Sequence, residues 1–114
     1  MRKFSRWFIF GYLLFFVSGV FAYTDVKAGD FSSGQLEAHF LKHGAQFGGI
    51  TQEQYLEGAR ALLDADAEGD VLEKIRRNGD VEHFRVSTGE FAVMTRRGRI
   101  RTYFKTDYEY WLRQ

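Results

Sequence analysis

The chain has 114 residues, a formal net charge of +1 at pH 7 and no cysteine. Its length fits one compact domain, and 45% hydrophobic residues suffice for a core. The lack of cysteine excludes disulfides, thiolate zinc sites and cysteine-based catalysis.

The start of the chain has the pattern of an export signal. Three basic residues among the first six precede an uncharged apolar run at residues 7–24, and a Val-x-Ala cleavage pattern ends at Ala22. We therefore predict a signal peptide at residues 1–22 and a single exported domain, periplasmic or secreted, at residues 23–114. The alternative is an anchor in the inner membrane, because the 18 residues of the apolar run can just cross a bilayer.

Charge is distributed unevenly along the predicted domain. Residues 23–73 contain three basic and ten acidic residues, a net charge of −7. Residues 74–105 contain nine basic and three acidic residues, a net charge of +6. The second half is therefore where a polyanion is expected to bind.

A first helix is predicted at residues 33–45. Ser32 and Gln35 have the spacing of a capping box, in which each side chain bonds the backbone near the other residue. Phe31 and Leu36 have the spacing of the hydrophobic contact that often accompanies such a cap.

This helix carries the most suggestive polar residues of the chain. His39, Lys42 and His43 are three and four residues apart, so a helix presents them on one face. Imidazole can take or give a proton near neutral pH, and an ammonium group can neutralise an anion. The cluster suits cleavage of a phosphodiester, although a solvated helix face with two ordinary histidines explains it equally well.

Metal and cofactor chemistry find little support in the same residues. His39 and His43 have a spacing that metal sites use, but Phe40 stands where the HExxH arrangement has glutamate, and Lys42 would repel a cation. The phosphate-binding and dinucleotide-binding glycine patterns are also missing from the sequence. We therefore predict a site with no metal and no cofactor.

A second helix is predicted at residues 52–66. Thr51 and Gln54 again have capping-box spacing. One face of this helix is apolar and is formed by Tyr55, Ala59, Leu62 and Leu63.

The remainder of the chain has the two-residue period of β-strands. Asn78-Gly79 is a strong hairpin signal, and two further turns follow it. We predict four strands in an antiparallel meander at residues 71–77, 81–87, 91–95 and 100–105. Residues 107–114 are expected to pack back as a short terminal element. The predicted fold class is α+β, with two N-terminal helices on a four-stranded antiparallel sheet.

Alternation along the last strand assigns its side chains to two faces. Ile100, Thr102 and Phe104 are expected to face inward, which places a hydroxyl on an apolar face. A buried threonine that merely fits a strand is the simpler explanation. The opposite face is basic, and we predict that the substrate is bound by Arg85, Arg99, Arg101 and Tyr103.

The order of several short motifs resembles that of a known group of toxins. The motifs are His-x-x-Lys-His-Gly at residues 39–44, Phe47-Gly48, Tyr55 after a threonine cap, the turn at residues 88–91, the stretch at 98–104, and Tyr110-Trp111. Their succession over residues 33–111 is similar to the C-terminal toxin domains of the barnase/EndoU/colicin/RelE (BECR) superfamily.

The resemblance implies a metal-independent ribonuclease with helices packed on an antiparallel sheet. Such domains often act on tRNA and are often neutralised by an immunity protein. The resemblance assigns the helix-borne catalytic positions to His39, Lys42 and His43 and the last-strand position to Thr102, and it does not say which histidine is the base. An alternative from another class is a non-catalytic exported module that uses its basic sheet to bind or inhibit a partner.

Overall fold

The computed structural model describes residues 26–114. Its elements are α1 (Gln35–His43), a 3-10 turn (Gly44–Phe47), α2 (Gln52–Asp64), β1 (Val71–Ile75), β2 (Val81–Arg85), β3 (Glu90–Met94), β4 (Ile100–Lys105) and α3 (Tyr108–Leu112). The α+β class predicted from the sequence is confirmed. The predicted export signal at residues 1–22 lies outside the described residues, and among residues 26–114 no helix has the length and apolar character needed to cross a membrane.

The four strands form one antiparallel sheet in the order β1-β2-β3-β4, which is the predicted meander. Pairing is regular except at a bulge, where Val93 pairs with Thr102 while the next residue, Met94, pairs with Ile100. Arg101 is therefore an extra residue in β4, and the side chains before it change face. The prediction that Ile100 shares a face with Thr102 is wrong for this reason.

Helix α2 covers one face of the sheet. Tyr55 and Leu62 on the helix are fully buried against Ala92, Met94 and other strand residues. Ile100 and Tyr103 belong to the same core, which is the larger of the two. The predicted inner face of this helix is therefore correct.

The opposite face of the sheet has its own aromatic core. Phe84, Phe91 and Val93 are buried there with Trp111, and Phe104 packs against them. The rings of Phe84 and Trp111 stack with centroids 5.7 Å apart. The C-terminal residues therefore pack back on the sheet as predicted, in the form of helix α3.

The two predicted capping boxes have opposite outcomes. At α2, the Thr51 hydroxyl accepts from the Gln54 amide at 3.1 Å, and the Gln54 side chain accepts from the Thr51 amide at 2.9 Å. At α1 the predicted box is wrong, because Gly34 is the N-cap with φ of 78° and no side chain caps the helix. The buried Phe31 pairs with Ile100 beside the sheet, so the chain has to turn before α1, and a left-handed glycine makes that turn.

Residues 26–31 form a strap beside β4. The Gly29 amide donates to the Gly98 carbonyl at 2.8 Å, and the Ile100 amide donates to the Asp30 carbonyl at 3.0 Å. Arg60 of α2 holds the strap through its ion pair with Asp30 at 2.5 Å. The strap therefore ties the turn between β3 and β4 to the rest of the domain.

Gly98 allows this close approach, and replacing it tests the strap. Gly98 has φ of 93°, and a Cβ there would overlap the carbonyl oxygen of Lys27. Gly34 has a similar φ of 78° with no neighbour near its Cβ position. We expect Gly34→Ala to lower the free energy of unfolding by about 1–2 kcal/mol, from backbone conformation alone. Gly98→Ala should cost clearly more, and equal losses in urea denaturation would contradict the close packing of the strap.

Candidate functional site

The two histidines of α1 lie at the seam between this helix and β4. The His43 ring meets the Phe104 ring edge to face at 5.0 Å, and the His39 ring lies 5.2 Å from the Phe31 ring. The centroids of the two imidazoles are 6.0 Å apart. Helix α1 has no fully buried residue, so this seam stays open to solvent on one side.

Burial and charge both disfavour the protonated imidazoles. Partial burial is the largest cause that lowers the pKa of His39 below its usual value, and the charge of Lys42 lowers it further. The pKa of His43 is lowered by burial, by Lys42 and by His39. Both rings are therefore biased toward the neutral form, which can accept a proton.

The other polar groups at this seam leave hydrogen-bonding capacity for a ligand. Nδ1 of His39 is buried and has no partner within residues 26–114. Lys42 is exposed and takes part in no ion pair among the described residues. The site thus offers a cation and an uncommitted ring nitrogen.

Thr102 lies on the strand that borders the histidines. It pairs with Val93, is partly buried, and shares a sheet face with Phe104, the residue that His43 contacts. Residues two apart on a strand are separated by about 6.6 Å. Thr102 therefore lies on the strand against which His43 of α1 packs.

The four predicted substrate-binding residues are separated in the structure. Arg99 and Arg101 are exposed at the start of β4. Arg85 lies at the other end of the sheet, in an ion pair with Glu90 at 3.3 Å. Of the four predicted residues, only Arg99 and Arg101 therefore lie together.

Tyr103 is a core residue, so the prediction that it faces outward is wrong. Only 2% of it is exposed, because its face of the sheet, opposite to that of Thr102 and Phe104, is covered by α2. Its hydroxyl donates to Glu90 Oε1 at 2.6 Å, and burial is the main cause that raises its pKa. The Tyr55 hydroxyl in turn donates to the Tyr103 carbonyl. These bonds leave the phenol inside the domain and away from a substrate.

His83 is a buried polar residue that the sequence reasoning did not single out. Its Nδ1 lies 2.8 Å from the Leu62 carbonyl and its Nε2 lies 2.8 Å from a carboxylate oxygen of Glu73. His83 joins α2 to the sheet. The one available signal was its position two residues after the apolar Val81, on the same face of the strand.

A cleft opens where β4 begins. Its volume is about 630 Å³, and it is lined by the strap, the turn between β1 and β2, and the turn between β3 and β4. The lining residues are Gly29, Asp30, Asn78, Asp80, Thr95, Arg96, Arg97, Gly98, Arg99 and Arg101. The sequence analysis selected Arg99 and Arg101 but missed Arg96 and Arg97. Arg96 and Arg97 had contributed to the positive charge counted for residues 74–105.

Comparison of the chain with known protein families and with curated proteins found no match. Among the described residues, no group of three or more histidine, aspartate or glutamate side chains is arranged to hold a metal ion. The chemistry of the site is therefore argued from its own geometry.

The effect of Lys42 on both histidines can be measured directly. We expect NMR titration of the ring protons to give pKa values below 6.5 for His39 and His43. Lys42→Met removes the nearby positive charge, so both pKa values should rise. Leu41→Met is the control, because Leu41 is 75% exposed on the same helix and the change alters no charge. Unchanged values in Lys42→Met would show that Lys42 does not act on the pair.

Proposed function

We propose that this protein is a metal-independent endoribonuclease of the BECR type. The observation that carries the proposal is the pair of partly buried imidazoles, 6.0 Å apart, with lowered pKa values, next to an exposed lysine. Two such rings can reach opposite sides of one phosphate and act as base and acid. RNA supplies its own nucleophile, the 2′-hydroxyl, so no metal-bound water is needed.

The proposed reaction is a transphosphorylation. A neutral imidazole takes the proton of the 2′-hydroxyl as its oxygen bonds to the adjacent phosphorus, and the bond to the 5′-oxygen breaks. The second imidazole, protonated, gives its proton to that leaving oxygen. The products are a 2′,3′-cyclic phosphate and a 5′-hydroxyl end, and the assignment of base and acid to His39 and His43 stays open.

In this proposal Lys42 stabilises the charge of the phosphate and Thr102 orients it. The exposed ammonium of Lys42 balances the negative charge that grows on the phosphoryl oxygens in the transition state. Thr102 orients the phosphate through its hydroxyl, from the strand that borders the histidines. Arg99 and Arg101, at the start of the same strand, add positive charge along the path of the RNA.

The remaining parts of the proposal concern partners and location. A tRNA is a candidate substrate and a cognate immunity protein a candidate partner, both by the resemblance to BECR toxins. The basic and apolar pattern of residues 1–22 supports export to the periplasm or the medium, with an inner-membrane anchor through residues 7–24 as the alternative.

One observation favours a second function. His39 packs on Phe31 and His43 on Phe104, contacts that stabilise a fold whether or not the rings transfer protons. A non-catalytic exported module that binds or inhibits a partner would keep these contacts. Cleavage of RNA by the purified protein separates the two functions.

Substitution of each histidine tests the catalytic roles. We expect His39→Ala and His43→Ala to lower the rate of RNA cleavage by about 10²-fold or more, because each removes a proton-transfer group. Cleavage by the parent protein should persist in EDTA and leave 2′,3′-cyclic phosphate ends. Leu41→Ala is the control on the same helix and should keep the parent rate. Parent rates in both histidine variants, with thermal unfolding unchanged, would remove His39 and His43 from the catalytic site, whereas a folded parent protein that does not cleave RNA would support the non-catalytic module.

The lowered pKa values also fix the expected pH dependence. Catalysis requires one neutral and one protonated imidazole, a state most populated between the two pKa values. Since both values lie below 6.5, the pair loses its acid as the pH rises toward 7. We therefore expect a bell-shaped profile of kcat/KM with its maximum below pH 6.5. A rate that climbs steadily above pH 7 would contradict an acid and base drawn from these two residues.

A further inference from the structure

Two turns of the sheet bring an arginine cluster to one end of the molecule. In an antiparallel meander, the turn from β1 to β2 and the turn from β3 to β4 lie at the same end. These turns and the adjoining strand residue carry Arg76, Arg77, Arg96, Arg97, Arg99 and Arg101. The cleft of about 630 Å³ lies between the second turn, the strap and residues of the first.

The acidic residues of the cleft are already engaged. Asp80 is 3% exposed and accepts from Arg101 Nε at 2.7 Å, and its other ion pair, with Arg76, is longer at 3.8 Å. Asp30 is paired with Arg60 at 2.5 Å. These ion pairs neutralise the two carboxylates of the cleft wall, and the contact with Asp80 orients the guanidinium of Arg101.

Arg96 and Arg97 remain available to a ligand. Both are exposed at the tip of the turn, and neither forms an ion pair with any residue in the range 26–114. Arg99 contributes its charge while its Nη1 donates to the Phe31 carbonyl at 3.3 Å. Around the cleft, the structure therefore places ion-paired and unpaired guanidinium groups together, and the carboxylates of the wall are already paired.

The cleft and the histidine pair adjoin the same strand. Arg101 lies in the cleft wall, and Phe104, which His43 contacts, is three residues further along β4. Strand geometry places these two positions about 10 Å apart. An extended polymer that follows β4 would thus meet both sites in succession.

We propose that this arginine cleft binds the phosphates of the RNA strand next to the cleaved bond. The identity of the polymer rests on the proposed function, and the cleft itself is argued from its charge and shape. Guanidinium groups bind phosphate with two parallel hydrogen bonds, and a nucleic acid presents a phosphate at every residue. An acidic protein surface would match the charge, but it would not account for the histidine pair that adjoins the same strand.

Binding of an oligonucleotide that cannot be cleaved tests the cleft alone. The probe is a fluorescent single-stranded 2′-O-methyl oligoribonucleotide, which lacks the internal nucleophile, and its affinity is measured by anisotropy over a range of salt concentrations. Arg96→Gln and Arg97→Gln are each compared with Arg113→Gln, which removes one exposed charge near the C-terminus. The wall residues Asp80 and Arg101 are left intact, so the fold is preserved.

We expect each cleft variant to weaken binding about threefold or more and the double variant about tenfold or more. The slope of log K against log salt should become shallower by about 0.7 for each arginine that contacts a phosphate. Arg113→Gln should leave affinity and slope unchanged. Since the probe cannot react, these results are obtained whether or not the protein cleaves RNA.

Two results would overturn the proposal. The first is an equal loss of affinity in Arg113→Gln, which would mean that only overall charge matters. The second is binding of polyglutamate at the cleft with no binding of the oligonucleotide, which would assign the cleft to an acidic protein surface. A cleft effect in the absence of any RNA cleavage would support the cleft and contradict only the enzymatic proposal.

Discussion

The β-bulge at Arg101 is the constraint on which the arrangement of this domain depends. One extra residue in β4 lets Ile100 and Tyr103 both enter the core under α2, while Thr102 and Phe104 face α3. Arg101 itself points to the buried Asp80, and this ion pair fixes the bulge against the neighbouring turn. In a regular strand Ile100 would share the face of Thr102 and Phe104, so the bulge is what lets Ile100 join Tyr103 under α2.

The sequence predicted the strands and the start of α2 correctly, and it failed at the bulge and at the start of α1. Period-two patterns and the Asn78-Gly79 signal were sufficient for four strands in the right order, and the Thr51 cap placed the start of α2. Simple alternation failed for Ile100, because nothing in the local sequence marks an inserted residue. Tyr103 does lie on the face opposite to Phe104, as alternation predicts, but α2 covers that face and buries it. The cap at Ser32 failed for another reason, since a pairing between distant residues, Phe31 and Ile100, governs the chain there.

For the candidate site, spacing along the helix was the informative signal. It placed His39 and His43 on one face, and the structure sets their rings 6.0 Å apart. The predicted meander already placed Arg85 and Arg99 at opposite ends of the sheet, but charge and strand face alone were used to group the four predicted ligand-binding residues. The buried His83 was missed because its partners, Leu62 of α2 and Glu73 of β1, come from other elements of the chain.

The position of α1 has a consequence for the motions of the domain. This helix carries both candidate catalytic histidines, yet none of its residues is fully buried, and it lies against β4 at the edge of the sheet. Segments with few buried contacts open at a lower free energy than the core in which they are anchored. Amide hydrogens of α1 should therefore exchange with solvent through local opening, while those of β2 and β3 exchange only when the whole domain unfolds. The histidines can thus separate from the strand and return without disturbing the sheet.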